Sequence, residues 1–149
     1  MEGAVSQKET ASAAAVALRQ THTVRTIRVV GLDTLSPRMF PPVGQYVVRL
    51  TPAPSLSELR AVLNKHLQEI GAESVVWTHY IRHRRTLSVL RKEFAELPPE
   101  PNYATYKYAP GDVLLIAALK RRPHPCVLMM PEDFSYWLAA AELQTEPKL

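Results

Sequence analysis

The sequence predicts an α/β or α+β fold, with helices flanking one mixed β-sheet of about five strands. Short β-branched segments such as "VRTIRVVGL" alternate along the chain with segments whose leucines recur at helical spacing. A chain of 149 residues, 46% hydrophobic and 21% charged, suits one globular domain with one core. We therefore expect a single domain over residues 24–149, preceded by a disordered or loosely helical tail over residues 1–23.

The first half of that domain predicts two strands and a helix. "VRTIRVVGL" alternates β-branched residues with Arg25 and Arg28, as in a strand with one buried face. A proline-rich loop separates it from a second strand, "QYVVRL". Ser55 and Glu58 then match a capping box, leucines at three- and four-residue spacing give one apolar face, and Gly71 closes the helix.

The second half predicts three more strands and two more helices. "ESVVWTHYI" is a third strand, and Leu87, Leu90, Phe94 and Leu97 mark a second helix. "ATYKY" and "VLLIAAL", joined by the turn "APGD", predict a hairpin whose second strand is buried on both faces. Pro131, followed by two acidic residues, predicts a closing helix, so the expected order is β-β-α-β-α-β-β-α.

Positive charge is concentrated in two clusters, although the formal net charge is only +4. The clusters predict an anionic partner such as a nucleotide or nucleic acid, and a solvated basic face is the alternative. They consist of Arg82, Arg84, Arg85, Arg91 and Lys92, and of Lys120, Arg121 and Arg122.

Several classes of protein are excluded. Cys126 is the single cysteine, so an internal disulfide framework is impossible. No apolar run approaches the ~18 residues of a membrane span, and the N-terminus lacks the pattern of a secretory signal. There is no glycine-rich phosphate loop and no HExxH motif. We therefore expect an intracellular protein without a cofactor or a metal site.

The junction of the third strand with the second helix is the best candidate for chemistry. A helix start favours anions because its first N–H groups are unpaired. Thr86 is expected to cap this helix, with Arg84 and Arg85 immediately before it and His83 beside them. Imidazole is suited to proton transfer near neutral pH, so His83 is a candidate general acid. The alternative is a surface histidine beside solubilising arginines.

At these residues the chain resembles the viral and bacterial ring nuclease family that includes a type III anti-CRISPR protein. "HRRTLSVL" supplies the family's His-x-x-Thr spacing, and "LDTLSPRMFP" places Ser36 in the loop after the first strand. "GDVLLIAALKRRP" supplies a Gly-Asp turn, an apolar strand and Arg122 near the strand's end. The resemblance covers roughly residues 25–140, with the elements in the same order.

The resemblance implies a homodimer that binds cyclic tetra-adenylate, the second messenger of type III CRISPR defence, and cleaves it without a metal ion. A ribose 2′-hydroxyl would attack the adjacent phosphate while His83 protonates the leaving 5′-oxygen. Arg122 would hold the phosphate, and Ser36 would position the ribose or phosphate. Independently of the resemblance, the predicted helix start makes Arg84, Arg85 and Thr86 candidates for binding the substrate. The place of action would be the cytoplasm, that of the host if the chain is viral.

Several positions depart from the family's pattern. Arg82 stands where the family has glycine, Arg84 and Arg85 follow the histidine, and Tyr103 stands where a second arginine is expected. His124 and Pro125 occupy the region in which the family has a glutamate. Either His124 therefore shares the acid–base work, or the chain binds the cyclic ligand without cutting it. A small nucleic-acid-binding or protein-interaction module is the further alternative.

Overall fold

A computed structural model describes residues 25–40, 45–120 and 129–144 of the chain. Within these residues it contains one five-stranded sheet and two α-helices, which confirms the predicted α+β class and mixed sheet. The strands are β1 (Thr26–Leu32), β2 (Gln45–Ala53), β3 (Ser74–His79), β4 (Val113–Leu119) and β5 (Phe134–Gln144), and the helices are α1 (Leu56–Glu69) and α2 (Arg84–Arg91). The predicted tail over residues 1–23 lies outside the described residues.

The sheet has the strand order β2-β5-β4-β1-β3. β1 is parallel to both of its neighbours, β3 and β4, whereas β5 is antiparallel to β4 and to β2. The carboxyl ends of β3, β1 and β4 therefore lie side by side at one edge of the sheet. In sheets of this kind, ligands bind in the crevice outside the carboxyl ends of parallel strands.

Both helices cover one face of the sheet, and loops cover the other. Leu59 and Leu63 of α1 and Leu90 of α2 share a buried cluster with inward residues of β1, β4 and β5. On the opposite face, Tyr106 and Tyr108 pack with alternate residues of β1 and β4. The strands that position the candidate site are thus buried on both sides.

The predictions for α1 and for "VLLIAAL" are confirmed. The Ser55 hydroxyl caps α1 by accepting the Glu58 backbone N–H at 3.2 Å. Gly71, with φ of 71°, follows the helix in the left-handed conformation that favours glycine. "VLLIAAL" is β4, and its first five residues are fully buried, as expected for a central strand.

Two predictions about strand burial and pairing are wrong. β1 is buried on both faces rather than one, because it is the central parallel strand between β3 and β4. "ATYKY" forms no strand: its tyrosines Tyr106 and Tyr108 are buried against the sheet, as members of a loop. The alternation of these aromatic residues resembles a strand pattern, but the antiparallel position beside β4 is taken by β5.

The closing helix predicted from Pro131 is also wrong. Pro131–Asp133 form only a single 3₁₀ turn, and Phe134–Gln144 continue as β5. Phe134, Tyr136 and Leu138 are buried while the residues between them are half-buried, which is the two-residue period of a strand. β5 joins β4 to β2 along its whole length, and this pairing outweighs the helix-start pattern.

The second helix is shorter and begins earlier than predicted. It spans Arg84–Arg91, so Phe94 and Leu97 reach the core from turns that follow it. Its N-cap is His83 rather than Thr86, which lies in the first turn and is 3% exposed. Arg84 and Arg85 are consequently the first helical residues instead of the last loop residues.

Candidate functional site

The N-terminus of α2 opens into a cavity of about 520 Å³. We call it the N-terminal cavity. Its floor is formed by Leu119 at the end of β4 and Phe134 at the start of β5, with Met129 beside them. Its polar rim is one continuous stretch, Arg82, His83, Arg84, Arg85 and Thr86. Four of the residues predicted for the site are therefore together, namely His83, Arg84, Arg85 and Thr86.

His83 is exposed, and its side chain makes no capping hydrogen bond although the residue is the N-cap of α2. Its backbone carbonyl accepts the Leu87 N–H at 3.1 Å, which fixes the residue at the helix start. The imidazole is therefore anchored through its backbone and faces a cavity next to the helix N–H groups. A helix N-terminus favours anions, so the imidazole stands beside a place where an anion would be stabilised.

Thr86 is the most unusual polar group of the cavity. It is 3% exposed, and no hydrogen bond joins its hydroxyl to another residue in the described part of the chain. A buried hydroxyl without a partner costs about 1–3 kcal/mol. A ligand oxygen in the N-terminal cavity would satisfy it.

His79 has a structural position, in contrast to His83. Its ring is fully buried at the end of β3, with the Ile81 N–H donating to Nδ1 at 3.2 Å and Nε2 bonded to the Pro98 carbonyl at 2.8 Å. This pattern requires the neutral ring with its proton on Nε2. Burial lowers the pKa of His79, which favours the same neutral form. The described ranges contain no group of three or more side chains of metal-ligand type.

The remaining predicted residues are not brought to this cavity within the described residues. Ser36 caps a 3₁₀ turn, Pro37–Met39, by accepting the Arg38 N–H at 3.2 Å, and it does not line the N-terminal cavity. Its loop packs on the other face of the sheet, where the Tyr108 N–H bonds the Met39 carbonyl at 2.6 Å. Arg122 and His124 lie outside the described residues, so their roles stay predictions.

The Gly-Asp turn before β4 has a structural function. Asp112 is 4% exposed and forms a bidentate pair with Arg28 at 3.0 and 2.6 Å. It also accepts the Tyr106 hydroxyl at 2.7 Å. The hydrogen bond to Asp112 raises the pKa of Arg28, and burial raises the pKa of Tyr106. The network ties β1 to the start of β4, so it fixes the strands whose ends form the site.

A second cavity, missed by the sequence prediction, lies along the same helix. We call it the Tyr103 cavity. It has a volume of about 530 Å³ and shares Arg82 and Arg84 with the N-terminal cavity. Arg91 and Lys92, two members of the first basic cluster, line it together with Tyr103. The i, i+7, i+8 spacing of Arg84, Arg91 and Lys92 could have revealed this cationic face.

Comparisons with known proteins concern the class of fold. No protein-family model matches the chain, and no curated protein matches it. The single-sheet α+β fold is similar to that of B116 of Sulfolobus turreted icosahedral virus, with a TM-score of 0.53 and 14% identity. The match covers 76% of this chain and 98% of that one. At this identity the likeness shows the fold alone, and a viral protein is thus known to share it. No helix among the described residues is long and apolar enough to cross a membrane.

Proposed function

We propose that this chain is a metal-independent ring nuclease that cleaves cyclic tetra-adenylate, with His83 as the general acid. The observation that carries the proposal is the N-terminal cavity. There an exposed imidazole, a helix N-terminus, cationic side chains and the buried Thr86 hydroxyl face one space. The His-x-x-Thr resemblance supplies the reaction, and the viral structural neighbour is consistent with a small protein of this kind.

The proposed step is an internal transfer. The 2′-oxygen of one ribose bonds to the adjacent phosphorus, the bond from phosphorus to the 5′-oxygen breaks, and that oxygen takes a proton from His83. The products are a 2′,3′-cyclic phosphate and a free 5′-hydroxyl. The 2′-hydroxyl must lose its own proton, and His124 is the candidate base. Arginines and the N–H groups of α2 would stabilise the charge that develops on phosphate.

The test is incubation with cyclic tetra-adenylate in EDTA, with the products resolved by mass spectrometry. We expect linear di-adenylate with 2′,3′-cyclic phosphate ends. His83→Ala should lower turnover by about 10²- to 10⁴-fold, the usual contribution of a general acid. His66→Ala, a histidine of α1 that does not line the N-terminal cavity, is the matched control and should leave turnover intact. Undiminished turnover in His83→Ala would remove His83 from the mechanism.

Binding without cleavage is the second candidate, because His124 and Pro125 stand where the related family has a carboxylate. It predicts stoichiometric binding and recovery of intact ligand after long incubation. Steeply salt-dependent binding of any RNA or DNA, without preference for the cyclic ligand, would instead favour a general nucleic-acid-binding module. The proposed place of action is the cytoplasm, where an intracellular messenger accumulates.

A further inference from the structure

The Tyr103 cavity combines a displayed aromatic ring with concentrated positive charge. Tyr103 is 65% exposed, the highest exposure among the large exposed hydrophobic side chains of the described residues. Four cationic side chains and one carboxylate line the cavity: Arg82, Arg84, Arg91, Lys92 and Glu100. Its volume of about 530 Å³ is within the usual range for small-molecule sites.

The Tyr103 ring is held in place rather than loosely solvated. Its hydroxyl donates to Glu100 Oε1 at 2.9 Å, and its backbone carbonyl accepts a hydrogen bond from the Arg82 guanidinium. That guanidinium lies 5.8 Å from the ring centroid. The neighbouring Asn102 N–H bonds the His79 carbonyl at 2.8 Å, which ties the segment to the end of β3. A fixed, exposed ring is a stacking platform that needs little ordering when a planar group binds.

The charges next to the ring are available for an anion. Lys92 is exposed. Arg91 donates one hydrogen bond, from Nε to the Leu97 carbonyl at 2.9 Å. A guanidinium has five N–H donors, so most of those of Arg91 are not used by that bond. Glu100, whose carboxylate accepts the Tyr103 hydroxyl, stands beside four cationic side chains. The lining of the cavity therefore carries an excess of positive charge. Ile81, Leu87 and two prolines give the cavity an apolar wall.

We propose that the Tyr103 cavity binds a single-stranded nucleotide unit, with the base stacked on Tyr103 and the phosphate held by Arg91 and Lys92. A ring beside cationic side chains is the combination used to bind single-stranded nucleic acid, because every base has a π-face and every unit a phosphate. An acidic peptide would use the charges but leave the exposed ring without a planar partner. The Tyr103 cavity shares Arg82 and Arg84 with the N-terminal cavity, but Tyr103, Arg91 and Lys92 do not line the N-terminal cavity, so the proposal stands whether or not His83 acts as an acid.

NMR titration with adenosine 5′-monophosphate tests the proposal directly. Stacking on Tyr103 should shift the adenine ring protons upfield, and ribose 5-phosphate should bind more weakly because it has no base. Tyr103→Ala should weaken binding about 5- to 150-fold, the usual effect of removing one stacking partner. Tyr103→Phe, which keeps the ring but loses its bond to Glu100, should retain most of the binding. Because Tyr103 is largely exposed, its replacement should not prevent folding.

Charge is tested by Lys92→Ala with a linear tetra-adenylate as probe. This variant should lower affinity and reduce the salt dependence of binding by about one phosphate contact. Lys65→Ala, an exposed lysine of α1 outside the Tyr103 cavity, is the matched control. If the tetra-adenylate binds more tightly than the mononucleotide, the ligand of the cavity is a nucleic-acid strand. If the two bind equally, the ligand is a free nucleotide. Both results support the proposal. Equal affinity for ribose 5-phosphate, or an upfield shift that persists in Tyr103→Ala, overturns it. Equal or tighter binding of an acidic peptide also overturns it.

Discussion

Two histidines only four positions apart have opposite environments. His79 ends β3 inside the core, with both ring nitrogens bonded to backbone groups, whereas His83 begins α2 at the surface. The sequence alone treats them alike, because the separation depends on where β3 ends and α2 starts. Of these two histidines, only His83 is exposed and lines the N-terminal cavity.

His79 predicts a decline of stability in mild acid. Its native pKa is lowered, mainly by burial, from an ordinary value of 6.5. The unfolded chain therefore binds a proton more readily, and the free energy of unfolding falls as pH drops through about 6.5 toward the native pKa. His79→Gln should lower stability at pH 7.5 but flatten its change between pH 7.5 and 5.5, as measured by urea unfolding. An unchanged pH slope in His79→Gln would contradict this assignment.

Substitutions of Thr86 distinguish an effect on stability from an effect on ligand binding. Thr86→Val replaces a buried hydroxyl that has no partner among the described residues with a methyl group of similar shape. The free energy of unfolding should stay equal or rise by about 1 kcal/mol, since an unpaired polar group is removed from the core. Turnover or binding of cyclic tetra-adenylate should fall about 10- to 100-fold through the lost bond to the ligand.

The matched control for that experiment is Thr86→Ser, which keeps the hydroxyl. It should retain most of the ligand binding while losing some stability, because a buried methyl group is deleted. If Thr86→Val destabilises the protein strongly, the hydroxyl serves the fold instead. Normal activity in a well-folded Thr86→Val would remove the hydroxyl from the ligand site.

At the scale of elements, the sequence predicts those segments whose local pattern and tertiary position agree. α1 has a cap, an apolar stripe and a closing glycine, and β4 is a purely apolar run. Both predictions are confirmed. The wrong predictions occur where a local pattern competes with pairing. Pro131 and the acidic residues after it form a 3₁₀ turn, but the following residues pair with β4 as an antiparallel strand.

The candidate site shows the same contrast between local pattern and tertiary packing. A helix start with concentrated positive charge could be predicted at "HRRT" because residue type and charge are local properties, but the N-cap was placed at Thr86 instead of His83. The helix register and the burial of Thr86 could not, since both depend on packing against β4 and β5. The Tyr103 cavity was missed because Tyr103 and Lys92 are 11 residues apart, and only the turns after α2 bring them together.

The contact between β1 and β3 predicts an effect of Gly31→Ala. A Cβ atom at Gly31 would lie 3.1 Å from the His79 Cβ and 3.4 Å from Ile81 Cδ1. Neither the strand nor the buried His79 ring can move away easily. We therefore expect the free energy of unfolding to fall by about 1–3 kcal/mol, as in an overpacked core. Thermal and urea unfolding measure it. Val76→Ala in the neighbouring edge strand β3 is the control: Val76 is 50% exposed, and the change should alter stability by under about 0.5 kcal/mol.

At the scale of the whole molecule, the candidate residues follow strands that end together. Ser36 comes after β1, His83 after β3, and Arg122 and His124 after β4, and these three strands are adjacent and parallel. The topology thus brings the ends of three strands that are distant in sequence to one end of the sheet, although Ser36 does not line the N-terminal cavity there. It also explains why the N-terminal cavity, bordered by the end of β4 and the start of α2, lies at that edge.

The symmetry of the proposed ligand predicts the oligomeric state. Cyclic tetra-adenylate has four identical units, so a two-fold symmetric pair of chains would present two equivalent N-terminal cavities to one ring. We expect light scattering to give twice the mass of one chain, and calorimetry to give one ligand per two chains. His83→Ala should be used for the calorimetry, because we expect this variant to bind the ligand without cleaving it. A monomer that binds one ring per chain would contradict the dimeric arrangement while leaving the chemistry of His83 open to its own test.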